Sequence, residues 1–96
     1  FLANKVSFCN EIKDLCDNME ISYDAFKEVW LLDKRIGRSH TQVTEKGGFS
    51  GSCFPKDLNA LITKMQNCKI EPTLHKAIWE TNRKYRKEFS EKKYER

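Results

Sequence analysis

Apolar side chains recur at intervals of three and four residues through most of this sequence, and no stretch of useful length alternates apolar and polar residues. The first nineteen positions show the pattern best, with apolar residues at 2, 6, 9, 12, 15, 16 and 19. This spacing is typical of an amphipathic helix, whereas strict alternation would indicate a strand. The chain is therefore predicted to be all-α.

The same periodicity predicts a bundle of about four helices. The first begins at Phe1, and the second begins after Ser22, whose hydroxyl is suited to an N-cap. Pro55 fits the first position of a third helix. A fourth helix is expected to open at Pro72 and to continue into a charged C-terminal tail. The buried stripe predicted for the third helix consists of Leu58, Leu61, Ile62 and Met65.

Helical periodicity stops between about Asp33 and Cys53, where the sequence becomes polar. Three of the four glycines in the chain, Gly47, Gly48 and Gly51, fall within five residues of this stretch. A loop of about twenty residues is longer than most connections in a small domain, and loops of that length are commonly functional. We therefore expect the functional residues in or beside this loop.

Length and charge exclude several classes of protein. A chain of 96 residues is one domain with one modest core, and an enzyme that holds both a dinucleotide and its substrate in separate domains is considerably longer. The longest apolar run, Val29 to Leu32, is too short to span a membrane. The net charge of +4 resides in residues 83–96, which indicates a solvated helix end. We expect neither a nucleic acid nor a membrane as partner.

The four cysteines, at positions 9, 16, 53 and 68, form no CxxC pair, and neither histidine has zinc-finger spacing. No structural metal site is therefore predicted. Cys9 and Cys16 are seven residues apart, which places them on one face of the first helix as small buried residues. No secretory signal opens the sequence, so we expect free thiols and a reducing, cytoplasmic location.

Cys53 has a more specific setting, because it lies where the glycine-rich loop meets the predicted third helix. A helix N-terminus and a nearby cation, here Lys56, both favour the thiolate, which is the nucleophilic form of cysteine. Asp57, one helical turn further, is placed to act as a base or to orient a water molecule. The spacing thus indicates a reactive cysteine with a carboxylate beside it.

Two other interpretations stay open on spacing alone. Cys53 could be an inert core thiol, with Asp57 merely complementing the helix dipole. Residues 48–51 also match a GxxG loop of the kind that clamps a nucleic-acid backbone, although the flanking strands of such a domain are missing. No histidine is close to Cys53 in sequence, but His40 or His75 could approach it in space.

Residues 48–57, GFSGSCFPKD, resemble the GFGGSCFPKD signature of UDP-glucose 6-dehydrogenases and related nucleotide-sugar dehydrogenases. Two further stretches agree in the same order. Residues 1–11 are similar to the long helix that joins the two nucleotide-binding domains of that family, and residues 33–37, DKRIG, are similar to its D-x-R-I-G segment. The resemblance covers roughly residues 1–90.

The resemblance implies that residues 1–96 are the central, helical, dimer-forming domain of such an enzyme, without its NAD-binding and UDP-sugar-binding domains. Members of the family oxidise the C6 alcohol of a nucleotide sugar to a carboxylate in two hydride transfers. NAD is then the expected cofactor. The expected substrate is a UDP-sugar, foremost UDP-glucose, and the expected partner is a second copy of the chain. The isolated chain is expected to be inactive. The competing interpretation is a stand-alone helical dimerisation domain without catalysis.

The resemblance also implies roles for individual residues. Cys53 corresponds to the nucleophile, which passes through a thiohemiacetal and a thioester, and Asp57 to the acid/base that assists hydrolysis. Arg35 corresponds to an arginine that reaches the substrate of the partner subunit. Two segments complete the implied site: a sugar-binding loop of Lys46, Gly47, Gly48, Phe49 and Ser50, and a nicotinamide-contacting turn of Cys53, Phe54, Pro55 and Lys56.

The sequence departs from the family pattern at several points. Ser50 replaces a glycine of the signature, and the loop between Gly37 and Gly47 differs, so the identity of the sugar is not specified. The catalytic lysine and asparagine of the family lie upstream of the position matched by Phe1. Lys5 and Asn10 do not correspond to them.

Overall fold

The computed structural model describes residues 1–51 and 53–86, which form four α-helices joined by loops and turns. The helices are α1 (Leu2–Asn18), α2 (Tyr23–Trp30), α3 (Cys53–Asn67) and α4 (Thr73–Tyr85). The described residues contain no strand, so the all-α prediction with a long loop before the third helix is confirmed. Most of the basic tail, residues 87–96, lies outside the described part of the chain.

The helix starts follow the sequence signals closely. The side chain of Ser22 caps α2 as predicted, because its Oγ accepts a hydrogen bond from the backbone N–H of Ala25 at 3.2 Å. The helices α1 and α4 each begin one residue later than predicted, at Leu2 and Thr73. Shifts of one residue are ordinary at helix ends, where the last hydrogen bonds fray.

The predicted start of the third helix is wrong by two residues. Pro55 is the third residue of α3, and Cys53 is the first. A proline is tolerated there because the first four N–H groups of a helix have no partner within the helix, so the missing N–H costs nothing. Consequently Cys53 belongs to the first turn of α3 itself.

Helix α1 is the central element, since it packs against both α2 and α4, while α3 packs against α4. A first apolar cluster joins the loop to α3 and α4 and consists of Phe49, Leu58, Ile62, Ile78 and Trp79. A second cluster joins α1 to α2 and consists of Cys9, Cys16 and Tyr23. The predicted burial of Cys9 and Cys16 on one face of α1 is confirmed.

Part of the predicted buried stripes remains in solvent. Leu61 of α3 was expected in the core, but 44% of it is exposed. Leu15 of α1 and Met19, just after its end, are also exposed, although both share the apolar periodicity. In a bundle of four helices each helix is packed on one face only. Where the apolar stripe of a helix is wider than that face, the residues at its edge remain exposed to solvent.

The long loop, described for residues 31–51, is anchored first at Thr41, which is 1% exposed. The phenol of Tyr23 on α2 donates a hydrogen bond to the Thr41 carbonyl. Burial, followed by the contact with Cys9, raises the pKa of Tyr23 well above its usual range, so the phenol keeps its proton as the donor. This contact fixes the middle of the loop against the second cluster.

A second anchor forms where Asn82 of α4 meets Phe49 of the loop. The Asn82 side chain donates from Nδ2 to the Phe49 carbonyl at 2.7 Å, and its Oδ1 accepts from the Phe49 N–H at 2.6 Å. Asn82 is 1% exposed and Phe49 is 5% exposed. The amide therefore pairs with both backbone groups of Phe49, as a neighbouring strand would, in the interior of the domain.

Two more side chains hold the neighbouring glycines. The Oδ1 atom of Asn10, a buried residue of α1, accepts from the Gly48 N–H at 3.0 Å. The Nε atom of Arg86, just beyond α4, donates to the Gly47 carbonyl at 2.6 Å. We refer to Asn10, Asn82 and Arg86 as the loop clamp.

The clamp requires glycine at both positions that it holds. Gly47 and Gly48 have φ of 71° and 57°, in the left-handed region that other residues seldom adopt. A Cβ at Gly47 would lie 2.5 Å from the carbonyl oxygen of Tyr85, and one at Gly48 would overlap Oδ1 of Asn82. The backbone of the loop thus lies directly on α4 because no side chain separates them.

We predict that Asn82→Ala destabilises the chain by about 2 kcal/mol, because it removes two hydrogen bonds to a buried backbone segment. Asn18→Ala, at the exposed end of α1, serves as the control and is expected to change stability by less than about 0.5 kcal/mol. The measurement is urea unfolding followed by circular dichroism. Equal midpoints for the two variants would show that the Asn82–Phe49 pair contributes little.

Candidate functional site

The residues of the signature converge on the first turn of α3. Cys53 is exposed at the start of this 15-residue helix, and Lys56 and Asp57 are exposed in the same turn. Phe54 is half-buried and Pro55 is buried, so they turn toward the body of the domain. Cys53 is therefore not a core thiol, the alternative that spacing left open, because its side chain is accessible from solvent.

Beside Cys53 the surface forms an open cleft of about 430 Å³, which we call the cysteine cleft. Residues 48–51 of the glycine-rich loop line it together with Cys53, Phe54 and His40. Gly51 has a φ of 90°, and a Cβ there would meet no atom within 4 Å, so the backbone faces open space at this point. The cleft can therefore admit a ligand directly against backbone and thiol.

Five of the predicted site residues thus come together around one opening: Gly48, Phe49, Ser50, Cys53 and Phe54. Phe49 contributes chiefly through its backbone, since its ring is buried in the first apolar cluster. The ring of Phe54 lies edge-on to that of Phe49, with centroids 5.8 Å apart. The loop clamp, by fixing Phe49, therefore also fixes the wall of the cysteine cleft.

Asp57 opens onto a different surface. It lines an apolar groove of about 570 Å³ between the start of α1, α3 and α4, together with Phe1, Leu2, Leu61, Leu74 and His75. Phe54 borders both this groove and the cysteine cleft. Cys53 and Asp57 are nevertheless one turn apart on α3, so a ligand lying across this turn can reach both side chains.

Arg35 and Lys46 lie away from the cysteine cleft, and both are exposed. The Arg35 guanidinium forms a two-point ion pair with Asp33, at 3.0 Å from Nε and 2.7 Å from Nη2, and its side chain is 90% exposed. The hydrogen bonds from Arg35 lower the pKa of the Asp33 carboxyl. Arg35 is therefore an oriented cation that faces solvent.

The structure brings in two residues that reasoning from the sequence missed. Asn10 and Asn82 hold the loop from buried positions. His40, one of the two histidines that the sequence left as possible neighbours of Cys53, lines the cysteine cleft. A signal for Asn82 existed, since it follows the buried Ile78 by four residues and so places an amide on the buried face of α4. A buried amide on an otherwise apolar face indicates a polar partner within the domain.

The described residues contain no group of three or more His, Cys, Asp or Glu side chains that could bind a metal ion. Within the same part of the chain, no helix combines the length and the apolar character that crossing a membrane requires.

Comparison with known proteins identifies relatives over most of the chain. The UDP-glucose 6-dehydrogenase of Rickettsia typhi is 39% identical over 83 residues, which are 86% of this chain and 19% of that protein. In Bacillus subtilis, UDP-glucose 6-dehydrogenase YwqF is 40% identical over 83 residues, covering 85% of this chain and 18% of that protein. UDP-glucose 6-dehydrogenase TuaD of the same organism is 38% identical over 86 residues, which are 90% of this chain and 18% of that protein. The chain thus spans about a fifth of the length of these relatives. No solved structure matches it.

The match to a protein family covers nearly all the described residues. Residues 1–84 match the sequence profile of the UDP-glucose/GDP-mannose dehydrogenase family, central domain. These residues include all four helices except the last position of α4, together with the glycine-rich loop and the turn that carries Cys53. The chain therefore belongs to the UDP-glucose/GDP-mannose dehydrogenase family, as its central domain.

Proposed function

We propose that this domain is part of an NAD-dependent UDP-sugar 6-dehydrogenase, with UDP-glucose as the foremost substrate. The observation that supports this most directly is the exposed Cys53 at the head of α3, facing a cleft walled by residues 48–51. Family membership and relatives named UDP-glucose 6-dehydrogenase agree with it. The NAD-binding and UDP-sugar-binding domains belong to the remainder of the proposed enzyme.

In this proposal Cys53 is the nucleophile of the second oxidation. Its sulfur adds to the aldehyde carbon that the first oxidation leaves at C6 of the sugar, which gives a thiohemiacetal. Loss of a hydride from C6 and of the proton from its hydroxyl then gives a thioester. The exposed position of Cys53 on the cleft makes this attack sterically possible, and the glycine backbone beside it allows the sugar to approach closely.

Asp57 completes the cycle by assisting the water that hydrolyses the thioester. Asp57 follows Cys53 by four residues, one turn along α3, so the two side chains are within reach of one ligand although they line different depressions of the surface. Phe54 separates the cleft of Cys53 from the groove of Asp57, so the acyl group is expected to lie across the first turn of α3. This arrangement keeps the water close to the carboxylate and away from the loop.

The first turn of α3 also fits one side of a nicotinamide site. Cys53 and Lys56 are exposed there and accessible to a ligand, while the buried Pro55 joins the turn to the body of the domain. When bound, NAD would accept the hydride. The described residues offer no glycine fingerprint for the pyrophosphate of NAD, so this turn would contact the cofactor while another domain holds it.

The proposed enzyme works as a homodimer through the face of α1 and α2. Phe8 and Phe26 both pack edge-on against Trp30, with ring centroids 6.0 and 5.7 Å away. Phe8 and Phe26 remain 57% and 41% exposed, and Val29 and Leu32 are 67% and 80% exposed. We call Phe8, Phe26, Val29 and Leu32 the aromatic face. Clustered apolar side chains of this size are typical of an interface.

The solvent-facing Arg35 agrees with a dimer. It lies away from the cysteine cleft of its own chain, held outward by Asp33. In the proposed dimer it would reach the substrate bound to the partner. A cytoplasmic location is part of the same proposal, because all four cysteines of the chain are free thiols.

We predict that Cys53→Ser in the full-length enzyme lowers kcat with UDP-glucose and NAD by about 10³-fold or more, because the hydroxyl is a far weaker nucleophile. Cys68→Ser removes the other exposed thiol, just beyond α3, and is expected to leave kcat unchanged. The measurement is NADH formation by absorbance, with a panel of UDP- and GDP-sugars.

The 96-residue chain alone is expected to form no NADH from UDP-glucose and NAD. NADH formation by this chain would contradict the proposal that other domains of the enzyme bind NAD and the UDP-sugar. A full-length protein that oxidises no nucleotide sugar would favour the alternative of a dimerisation domain without catalysis.

We predict that this chain forms dimers at tens of micromolar and that Phe8→Asp shifts it to monomer while keeping its helicity. A charge at the centre of an apolar interface loses its hydration without gaining a partner. The control is Leu74→Asp, in the groove beside Asp57, because Leu74 and Phe8 are both 57% exposed. Sedimentation velocity distinguishes them. A wild-type chain that stays monomeric, or a Leu74→Asp variant that dissociates equally, would contradict an interface on the aromatic face.

A further inference from the structure

His40 occupies a strained position in the long loop. The N–H of Thr41 donates to the Arg38 carbonyl at 3.2 Å, and the Thr41 hydroxyl donates to the same oxygen at 2.6 Å. Residues 38–41 therefore form a tight turn in which His40 is the third residue, with a φ of 63°. A turn of this kind favours glycine or asparagine at that position, and a histidine there is strained.

The other non-glycine residues with positive φ have an ordinary explanation. Glu20 and Lys69 follow the ends of α1 and α3. At each end the backbone N–H of the next residue donates a hydrogen bond back to the helix. Ile21 donates to the Cys16 carbonyl at 2.9 Å, and Ile70 donates to the carbonyl of residue 65 at 2.8 Å. A left-handed residue commonly closes a helix in this way. His40 closes no helix, so its strain calls for a different reason.

The imidazole of His40 lines the same cleft as Cys53. Its ring lies 5.7 Å from that of Phe54, centroid to centroid, with 31° between the ring planes, and Phe54 directly follows Cys53. Nδ1 is 2.5 Å from the hydroxyl oxygen of Ser39. Among the hydrogen bonds of the described residues, Nδ1 is the ring nitrogen that is engaged, which leaves Nε2 for a proton exchange.

Within the cysteine cleft, His40 and Cys53 are the only described residues that can exchange a proton. The rest of its lining consists of glycines, apolar residues and uncharged polar residues. The other candidates lie elsewhere: Asp57 and His75 line the separate groove, and Arg38 is paired with Glu28 at 2.6 and 2.8 Å. Among the described residues, His40 is therefore the candidate base that shares this cleft with Cys53.

We propose that His40 is the acid–base partner of Cys53. This inference rests on the proposed function, because it assigns the proton of the thiol that attacks the aldehyde. The Cys53 S–H gives its proton to Nε2 of His40 as the sulfur electron pair forms the bond to the aldehyde carbon. The π electrons of the C=O bond move to oxygen, which takes the proton back from the imidazolium. The product is a thiohemiacetal, and no proton or electron is gained or lost overall. Imidazole is the side chain best suited to such an exchange near neutral pH.

The test uses the 96-residue chain and the alkylation of its thiols by iodoacetamide at pH 7, followed by mass spectrometry. The exposed Cys68 in the same molecule is the internal reference. We expect His40→Gly to lower the rate at Cys53 about tenfold relative to Cys68. Glycine relieves the backbone strain, so this variant is expected to fold at least as well as the wild type.

Chemical rescue separates a proton acceptor from a structural role. Free imidazole is expected to restore alkylation of Cys53 in His40→Gly, because glycine leaves space for it beside Phe54, and to leave the wild type unchanged. His75→Gln, which alters the histidine of the other groove, should leave the ratio of Cys53 to Cys68 as in the wild type.

An unchanged ratio in His40→Gly would overturn the proposal, and so would a loss that imidazole does not restore or an equal loss in His75→Gln. Because the assay needs neither UDP-sugar nor NAD, it is independent of the proposed dehydrogenase activity. A parent enzyme inactive on every nucleotide sugar would overturn the proposed function, whereas the alkylation ratio alone decides the Cys53–His40 pair.

Discussion

The paired hydrogen bonds between Asn82 and the backbone of Phe49 are the constraint on which the site of this domain depends. Phe49 would otherwise be a large apolar residue in the middle of a polar, glycine-rich segment. Its ring can enter the core only if its own N–H and C=O find partners there, since burial of unpaired backbone groups is costly. Asn82 supplies both partners from one side chain. The core and the loop therefore order together.

This constraint explains how a connection of about twenty residues can present a defined cleft. Ordering each loop residue costs about 1–2 kcal/mol of conformational entropy. An unanchored loop of this length would have no contacts to offset that loss and would not be ordered. The chain concentrates its anchors at the buried Thr41 and Phe49. His40 is next to the first anchor, and the glycine-rich wall of the cleft is next to the second. The residues proposed to act chemically thus lie beside fixed points of the loop.

The sequence allowed the four helices to be predicted, because they depend on local patterns. Periodicity located the four helices, and Ser22 marked the start of α2. Pro55 misplaced the start of α3, because proline is equally acceptable anywhere in a first turn. The roles of Asn10 and Asn82 could not be predicted, since their partners are 38 and 33 residues away in the chain. A periodic pattern reports which face is buried, but it does not report what a polar residue on that face will meet.

Helix α1 links the assembly of the domain to its site. It carries Phe8 on the aromatic face, Cys9 in the second cluster and Asn10 in the loop clamp at consecutive positions. A partner that covers Phe8 stabilises the folded state by mass action, and the order of α1 rises with it. Asn10 holds Gly48 only while α1 keeps its place against α4, so the proposed dimer interface and the order of the glycine-rich loop share one helix. In a domain this small, the surface proposed to bind a second copy and the residues that shape the cleft are thus coupled through the backbone of α1, and the coupling needs no direct contact between the aromatic face and the thiol.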